Sequence, residues 1–258
     1  MVKVATWNVN SLRVRLPQVL EWLAKEQPDV LALQETKLQD PNFPIDSFRE
    51  GGYHAVFSGE KSYNGVALLS REPGTDIVTD LPGMNDPQRR LIGGRYGFLT
   101  LLNVYVPNGA EVGSDKYQYK LNWLACLAAY VERLLKEGRG LLLLGDFNIA
   151  PEDRDVYDPK AWEGQVLVSE PERAAFRSLL GIGVKDSFRL FEQPPGSYSW
   201  WDYRAGAFRR NQGLRIDHIL VAASLAARCK GCWIDKGPRG HKQPSDHTPV
   251  VLELTEVK

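Results

Sequence analysis

The sequence predicts an α+β fold in which two packed sheets carry helices on their outer faces. Three observations lead there. Apolar, strand-like runs recur along the 258 residues, at 2–9, 29–34, 53–58, 64–70, 98–106, 140–146, 216–222 and 249–254. Helical spacing is confined to 11–27, 114–138 and 170–183, too few and too scattered for a strictly alternating parallel sheet. No linker, charge block or clear repeat divides the chain, so residues 1–258 read as a single domain. A doubly wound sheet is the alternative.

The elements follow in order. MVKVATWNV alternates as a strand and runs into Asn8 and Asn10. SLRVRLPQVLEWLAKEQ puts Leu12, Leu16, Val19, Leu20 and Leu23 at helical spacing, with Pro17 near its first turns. The next strand ends at Glu35 in LALQETK, and the run at 98–106 leads through Tyr105 to Asn108 in NVYVPNG. The longest helix opens at the cap candidate Ser114 and closes at Gly138. Leu141 to Leu144 form a fully apolar strand that stops at Gly145, after which Asp146 and Asn148 share a strand parity. Asp217 sits inside the apolar run LRIDHIL, and PSDHTPVVLEL puts Asp246 and His247 just before the last strand.

Composition narrows the function. Lys plus Arg and Asp plus Glu both number 32, so there is no global basic field and a polyanion must be met by a local patch. No stretch approaches a membrane span, no leader-like segment opens the chain, and no glycine-rich phosphate loop argues for a nucleotide cofactor. The chain reads as a cytoplasmic monomer. Of three cysteines, Cys229 and Cys232 form a C-x-x-C without two further ligands at suitable spacing; they read as two thiols near a turn at Gly231.

Taken singly, the polar residues at strand ends have ordinary readings. Asp146–Asn148 suits an Asx-turn, Glu35 a cap or surface group, and His247 a structural imidazole. Asp217 differs, because a carboxylate among Ile216, Ile219 and Leu220 is expensive to bury unpaired, and His247 is the natural partner. Together the set describes more. Carboxylates with amides suit a hard cation such as Mg²⁺, and a histidine held by a carboxylate suits a phosphoryl oxygen or a proton transfer. That combination points to metal-assisted hydrolysis of a phosphate ester.

The segments TWNVNSLR, LALQETK, YNGVALLSR, DPQRRLI, NVYVPNG, LLGDFNIAP, SYSWWDYR, GLRIDHIL and SDHTPV, in this order and nearly end to end, resemble the exonuclease III family of abasic-site DNA endonucleases. The resemblance implies a four-layered α/β sandwich, two packed mixed β-sheets flanked by helices. It implies Mg²⁺, with Mn²⁺ as the alternative ion, held in the region of Glu35, Asn8, Asp146, Asn148, Asp246 and His247. Catalysis would fall to Tyr105, Asp146, Asn148, Asp217 and His247, with Asp146 orienting or deprotonating water and Asp217 polarising His247. Double-stranded DNA would meet Asn10, Lys37, Tyr63, Arg89, Arg90, Asn108, Arg209 and Arg210. Trp200, Leu214 and Ile216 match the apolar pocket that holds a flipped, baseless sugar in the family.

The implied activity is cleavage 5′ to abasic sites, processing of DNA 3′ ends, or both. The stretch AWEGQVLVSEPER (161–173), Leu167 included, lies between the core motifs, where it would border the cleft. A phosphoesterase of the same fold acting on a non-DNA substrate is one alternative. A non-catalytic DNA-binding protein is another, but it would be expected to have lost a metal or base residue, and none is missing.

Overall fold

The computed structural model describes residues 1–256. Its strands and α-helices run β1 (Val2–Asn8), α1 (Leu12–Glu26), β2 (Val30–Gln34), α2 (Ile45–Glu50), β3 (His54–Ser58), β4 (Val66–Ser70), β5 (Thr75–Val78), β6 (Leu91–Tyr96), β7 (Leu99–Tyr105), α3 (Asp115–Lys136), β8 (Gly140–Asp146), α4 (Pro159–Trp162), α5 (Glu170–Gly181), β9 (Val184–Asp186), β10 (Asp217–Ala222), β11 (Cys229–Ile234) and β12 (Val250–Leu254). They make two six-stranded sheets, ordered β11-β12-β1-β2-β4-β3 and β5-β6-β7-β8-β10-β9. Each sheet is mixed. Its one parallel pair, β1/β2 or β7/β8, is joined by a crossover helix, α1 or α3, and every other pairing is antiparallel. That single parallel pair per sheet excludes the doubly wound alternative.

The two sheets repeat one plan. Read from β3 and from β9, the order of pairings and directions is the same, so β1 corresponds to β7, β2 to β8, β4 to β10 and β12 to β6. The sequence showed no repeat because the correspondence lies in backbone topology.

Strand alternation explains why the runs read as wholly apolar. Val4, Val30, Ala32, Val66 and Leu68 point into the space between the sheets, together with Leu101, Leu142, Leu144, Ile219 and Leu252. Their neighbours Ala5, Trp7, Leu31, Leu33 and Ala67 face outward, under Val19 and Trp22 of α1 and Phe48 of α2. Ser114 caps α3 by accepting from the Tyr117 amide at 3.2 Å, and the chain turns at Gly138, whose φ is 70°. Polar groups stitch the sheets together. Gln34 Nε2 donates to Asn103 Oδ1 at 2.7 Å, and Asn103 Nδ2 donates to the carbonyls of Leu33 and Ala67 at 2.9 Å.

Strands β5, β6, β9 and β11 lie outside the sequence reading. The Cys229–Cys232 segment is β11, with a bulge between Cys229 and Gly231, rather than a turn. No helix among the described residues is long and apolar enough to cross a membrane.

Candidate active site

The site lies where the strands of both parallel pairs end. Asn8 is the last residue of β1 and Glu35 follows β2; Tyr105 ends β7 and Asp146 ends β8. Tyr105 pairs with Asp146 across the parallel β7/β8 ladder, and Asp217, first in β10, pairs with Asp146 across the antiparallel one. His247 precedes β12 in the other sheet, so groups from both sheets converge on one edge. The backbone is unusual there. Asn10, Glu35 and Lys37 all have φ between 43° and 53°. Such left-handed non-glycine positions cost about 1 to 3 kcal/mol each and persist only where the surroundings hold them. Here Ser11 N donates to the Glu35 carbonyl at 2.8 Å and Lys37 N to the Asn64 carbonyl at 2.9 Å. Gly145 has φ 146°, and a Cβ there would lie 1.9 Å from the Val104 carbonyl oxygen, so the residue before Asp146 has to be glycine.

Two carboxylates face each other at the centre. Asn8 Nδ2 donates to Glu35 Oε1 and to Asp146 Oδ2, both at 2.9 Å, while its Oδ1 accepts from the Asn10 amide. Asn8 thus clamps the pair, its Nδ2 bridging the two carboxylates. Lys37 Nζ lies 2.9 Å from Glu35 Oε2 and donates to Asn10 Oδ1. His247 Nδ1 sits 2.8 Å from Asp217 Oδ2, and its Nε2 is 3.7 Å from Asp146 Oδ2.

Burial alone would lower the imidazole pKa, but Asp217 and then Asp146 raise it to about 10, so the ring is an imidazolium held between two carboxylates. Burial pushes Asp146 up to about 7, with Asp217 adding to the rise and His247 opposing it. Tyr105 is raised well above the usual tyrosine range, by burial first and then by Glu35 and Asp146.

Glu35, Asp146 and His247 each offer one ligand atom, all within 4.8 Å of one another. Two hard carboxylate oxygens fit an oxygen-seeking divalent cation, and the imidazole would join them only after losing its proton. Asp246 stands apart, with Oδ1 accepting from Asn10 Nδ2 and Oδ2 from Trp200 Nε1, both at 3.0 Å. Burial works against its ionisation, yet His247 and these donors hold its pKa below the usual carboxylate value.

Asp146 and Asn148 are not displayed by strand parity. The strand ends at Asp146, the Asn148 amide donates to Asp146 Oδ1 at 2.8 Å, and Asn148 turns at φ 49°. This is an Asx-turn, and it brings both side chains to the same place. Asn148 Nδ2 donates to the Val106 carbonyl at 3.0 Å, and Asn108 Nδ2 donates to Asn148 Oδ1 at 3.1 Å. Phe147, between them, is fully buried against Phe176 and His218.

The outer residues divide. Arg90 lies over the Tyr105 ring at 4.7 Å and donates to the Tyr105 carbonyl, beside the centre. Arg89 pairs with Asp80 at 3.4 Å, and Tyr63 is exposed on the loop before β4. Arg209 and Arg210 are exposed on a loop whose Tyr203 hydroxyl accepts from Asn10 Nδ2 at 3.4 Å and donates to the Pro244 carbonyl at 2.9 Å. Leu214 and Ile216 are 0% and 1% exposed, in a cluster with Val156, Leu167 and Val168, and Trp200 packs on its edge beside Trp162. In this conformation neither Leu214 nor Ile216 offers surface to a ligand. Leu167, in the stretch expected to border the cleft, belongs to the same buried cluster.

Sequence reasoning missed several supports. Ser245 Oγ donates to the Asn8 carbonyl at 2.7 Å and accepts from the His247 amide at 3.2 Å. Ser199 Oγ accepts from the amides of Ile216 and Asp217 at 3.1 Å. Arg215, between two pocket positions, is buried against Asp155, Asp186 and His218. A serine two residues before the histidine in PSDH was the one visible signal. Burial pushes the Cys232 thiol up to about 12, and its Sγ accepts from Ser187 Oγ at 3.3 Å, which marks an inert core thiol.

Two mixed sheets with a carboxylate–imidazole centre at their shared edge define the class. The family model described as the Endonuclease/Exonuclease/phosphatase family matches residues 5–247, and the chain belongs to that family. Among its relatives, the Exodeoxyribonuclease III of Haemophilus influenzae is 37% identical over 266 residues, covering 98% of this chain and 100% of the relative. A solved structure of the 3′ phosphatase NExo from Neisseria, bound to a product DNA hairpin, is 44% identical with a TM-score of 0.97 and covers 99% of this chain and 100% of its own. An AP endonuclease from Archaeoglobus fulgidus is 39% identical with a TM-score of 0.95, covering 98% and 99%.

Proposed function

We propose that the protein is a Mg²⁺-dependent DNA nuclease that works foremost at 3′ ends, removing 3′ phosphates and terminal nucleotides. The observation that carries the reading is the convergence of Glu35, from one sheet, with Asp146 and the Asp217-bound His247 within 4.8 Å. Glu35 and Asp146 would hold the ion, with Mn²⁺ as a substitute; when bound, it supplies positive charge against the phosphate.

The chain's own groups do the rest. Asp146, with its pKa near 7, orients a water and takes its proton as the oxygen attacks phosphorus. His247, protonated, donates through Nε2 to a phosphoryl oxygen while Asp217 fixes its ring. Asn148 and Asn108, joined through their side-chain amides, would border the same phosphate, and Tyr105 keeps its hydroxyl proton available for a hydrogen bond. The P–O bond to the leaving 3′ oxygen breaks opposite the water, and that oxygen takes a proton from solvent to leave a 3′-hydroxyl. Arg204, Arg209 and Arg210, exposed on the loop tied to Asn10 through Tyr203, track the backbone phosphates.

The 3′-end preference rests on Leu214 and Ile216, which are buried in one cluster with Leu167 and expose no surface to a flipped sugar. Incision 5′ to an abasic site is the second reading. Similarity to the Archaeoglobus fulgidus AP endonuclease favours it, and it requires that cluster to open.

Two duplexes test both readings with Mg²⁺ present: one carries an internal abasic analogue, the other a recessed end bearing a 3′ phosphate. Asp146→Asn and a chelator are the controls. We expect 3′ processing to exceed incision by at least tenfold and to vanish in both controls. Incision equal to or faster than 3′ processing would reverse the order of the two readings. Activity on neither duplex, from folded protein, would remove DNA as the substrate.

A further inference from the structure

Beneath the loops that carry Asn108 and Asn148 lies a buried ion pair that the chemistry above does not use. Lys120 sits on the apolar face of α3, in step with Tyr117, Trp123, Leu124 and Leu127, and is completely buried. A lysine has three N–H donors, and here each has an acceptor. Lys120 Nζ donates to the Asn148 carbonyl at 2.6 Å, to the Asn108 carbonyl at 3.0 Å, and to the carboxylate of Glu172, which is itself fully buried in α5. The backbone comes close enough because residue 109 is glycine: a Cβ there would lie 3.2 Å from Lys120 Cδ.

Glu172 extends the connection. Its Oε1 accepts from the Leu167 amide at 3.0 Å and its Oε2 from the Ser169 amide at 3.2 Å. The loop after β7, the loop after β8 and the segment that carries Leu167 and Ser169 are therefore fastened to one pair of charges.

Stability alone does not explain the pair. Two buried ions pay heavily in lost hydration, and apolar side chains of similar volume commonly do as well or better. Apolar side chains could not hold two carbonyls at a fixed separation. Asn148 is in the left-handed region, and its carbonyl faces Lys120 while its side chain meets that of Asn108. Fixing the two carbonyls fixes how the two amides stand.

We propose that Lys120 and Glu172 form a positioning pair for the reaction, in which Lys120 draws the Asn108 and Asn148 loops together beneath the phosphate and Glu172 holds the ammonium in place. The kinetic consequence rests on the nuclease reading; the geometric one does not.

The test uses the full chain carrying Glu172→Gln, which keeps shape and one acceptor, and the double variant Lys120→Met with Glu172→Gln, which leaves no uncompensated buried charge. Hydrogen exchange of segments 106–109 and 147–150 is measured first. Both loops are expected to lose at least tenfold of their protection together, in both variants, while β7 and β8 keep theirs. On the 3′-phosphate duplex, kcat is expected to fall about tenfold in the single variant and a hundredfold in the double, with KM within threefold. Unchanged loop exchange, or a kcat within twofold of the parent in either variant, would overturn the proposal. A parent that cleaves no DNA but whose loops loosen in the variants would sink the nuclease reading and leave the pair's positioning role standing.

Discussion

Asp146 and Asp217 face each other as cross-strand partners at the ends of β8 and β10, and the His247 imidazole lies against both. Two opposed carboxylates repel, and the imidazolium is the charge that reconciles them. Removing either acid therefore alters the histidine.

In Asp217→Asn the larger of the two attractions on His247 is gone. Its pKa should fall from about 10 toward the ordinary value near 6.5. Activity at pH 8 should drop by about 10² or more, since the phosphate would meet a neutral ring. NMR titration of the His247 ring checks the first outcome and single-turnover cleavage the second. A ring still protonated at pH 9 would disprove the coupling.

Metal binding should release protons. Asp146 stays protonated up to about pH 7 and must ionise to meet a cation. Mg²⁺ affinity should rise about tenfold per pH unit below 7 and level off above it. Calorimetry in buffers of different ionisation enthalpy counts the protons. Glu35→Gln should weaken binding at every pH, and a pH-independent affinity would refute the assignment of Asp146.

The share of stability that depends on neutral His218 should fall in mild acid, opposed over the same range by Asp146, whose raised pKa makes the folded state take up a proton first. Burial, and then Arg215, lowers the His218 pKa to about 4, whereas the unfolded chain takes up that proton near 6.5. Between these values the unfolded state binds more protons, so stability present above pH 6.5 is lost as pH falls toward 4. The full loss is about 3 kcal/mol, as an order of magnitude. Urea unfolding at pH 7, 5.5 and 4.5 measures it. His218→Phe, which suits the contacts with Phe147 and Phe176, should lower stability at pH 7 and leave the variant gaining stability relative to the parent by about 3 kcal/mol as pH falls over that window, and an unchanged difference between the two proteins would refute the His218 assignment.

Leu167→Gly should shift the balance between the two DNA activities. Leu167 has φ 78°, which glycine adopts without strain, and its side chain belongs to the buried cluster of Leu214 and Ile216. Abasic incision should rise at least tenfold relative to 3′ processing. An unchanged ratio would show that the cluster does not set the preference.

Much of the fold was legible in the sequence. Strands buried on both faces, such as Leu141–Leu144, announce themselves as unbroken apolar runs, and α1 and α3 show their packed faces. Strands β5 and β9 are short and β6 carries Gly93, Gly94 and Arg95, so hydrophobic pattern alone does not reveal them. Asp217 was legible as a buried acid in need of a partner, because desolvation leaves few alternatives. Asn8 as a clamp and Lys37 on Glu35 were not, since orientation and hydrogen-bond direction depend on left-handed turns at Asn10 and Glu35 that no residue pattern specifies. Lys120 was the readable signal that went unread, one charge in step on an apolar face.

The first strand, β1, is completed in its sheet by the last, β12, which lies just beyond His247. Glu35 thus leaves the ribosome more than two hundred residues before the imidazole that shares its site. A polypeptide that has not yet reached β12 holds its acids and amides without their histidine, so closure of the sandwich and completion of the catalytic centre are one event.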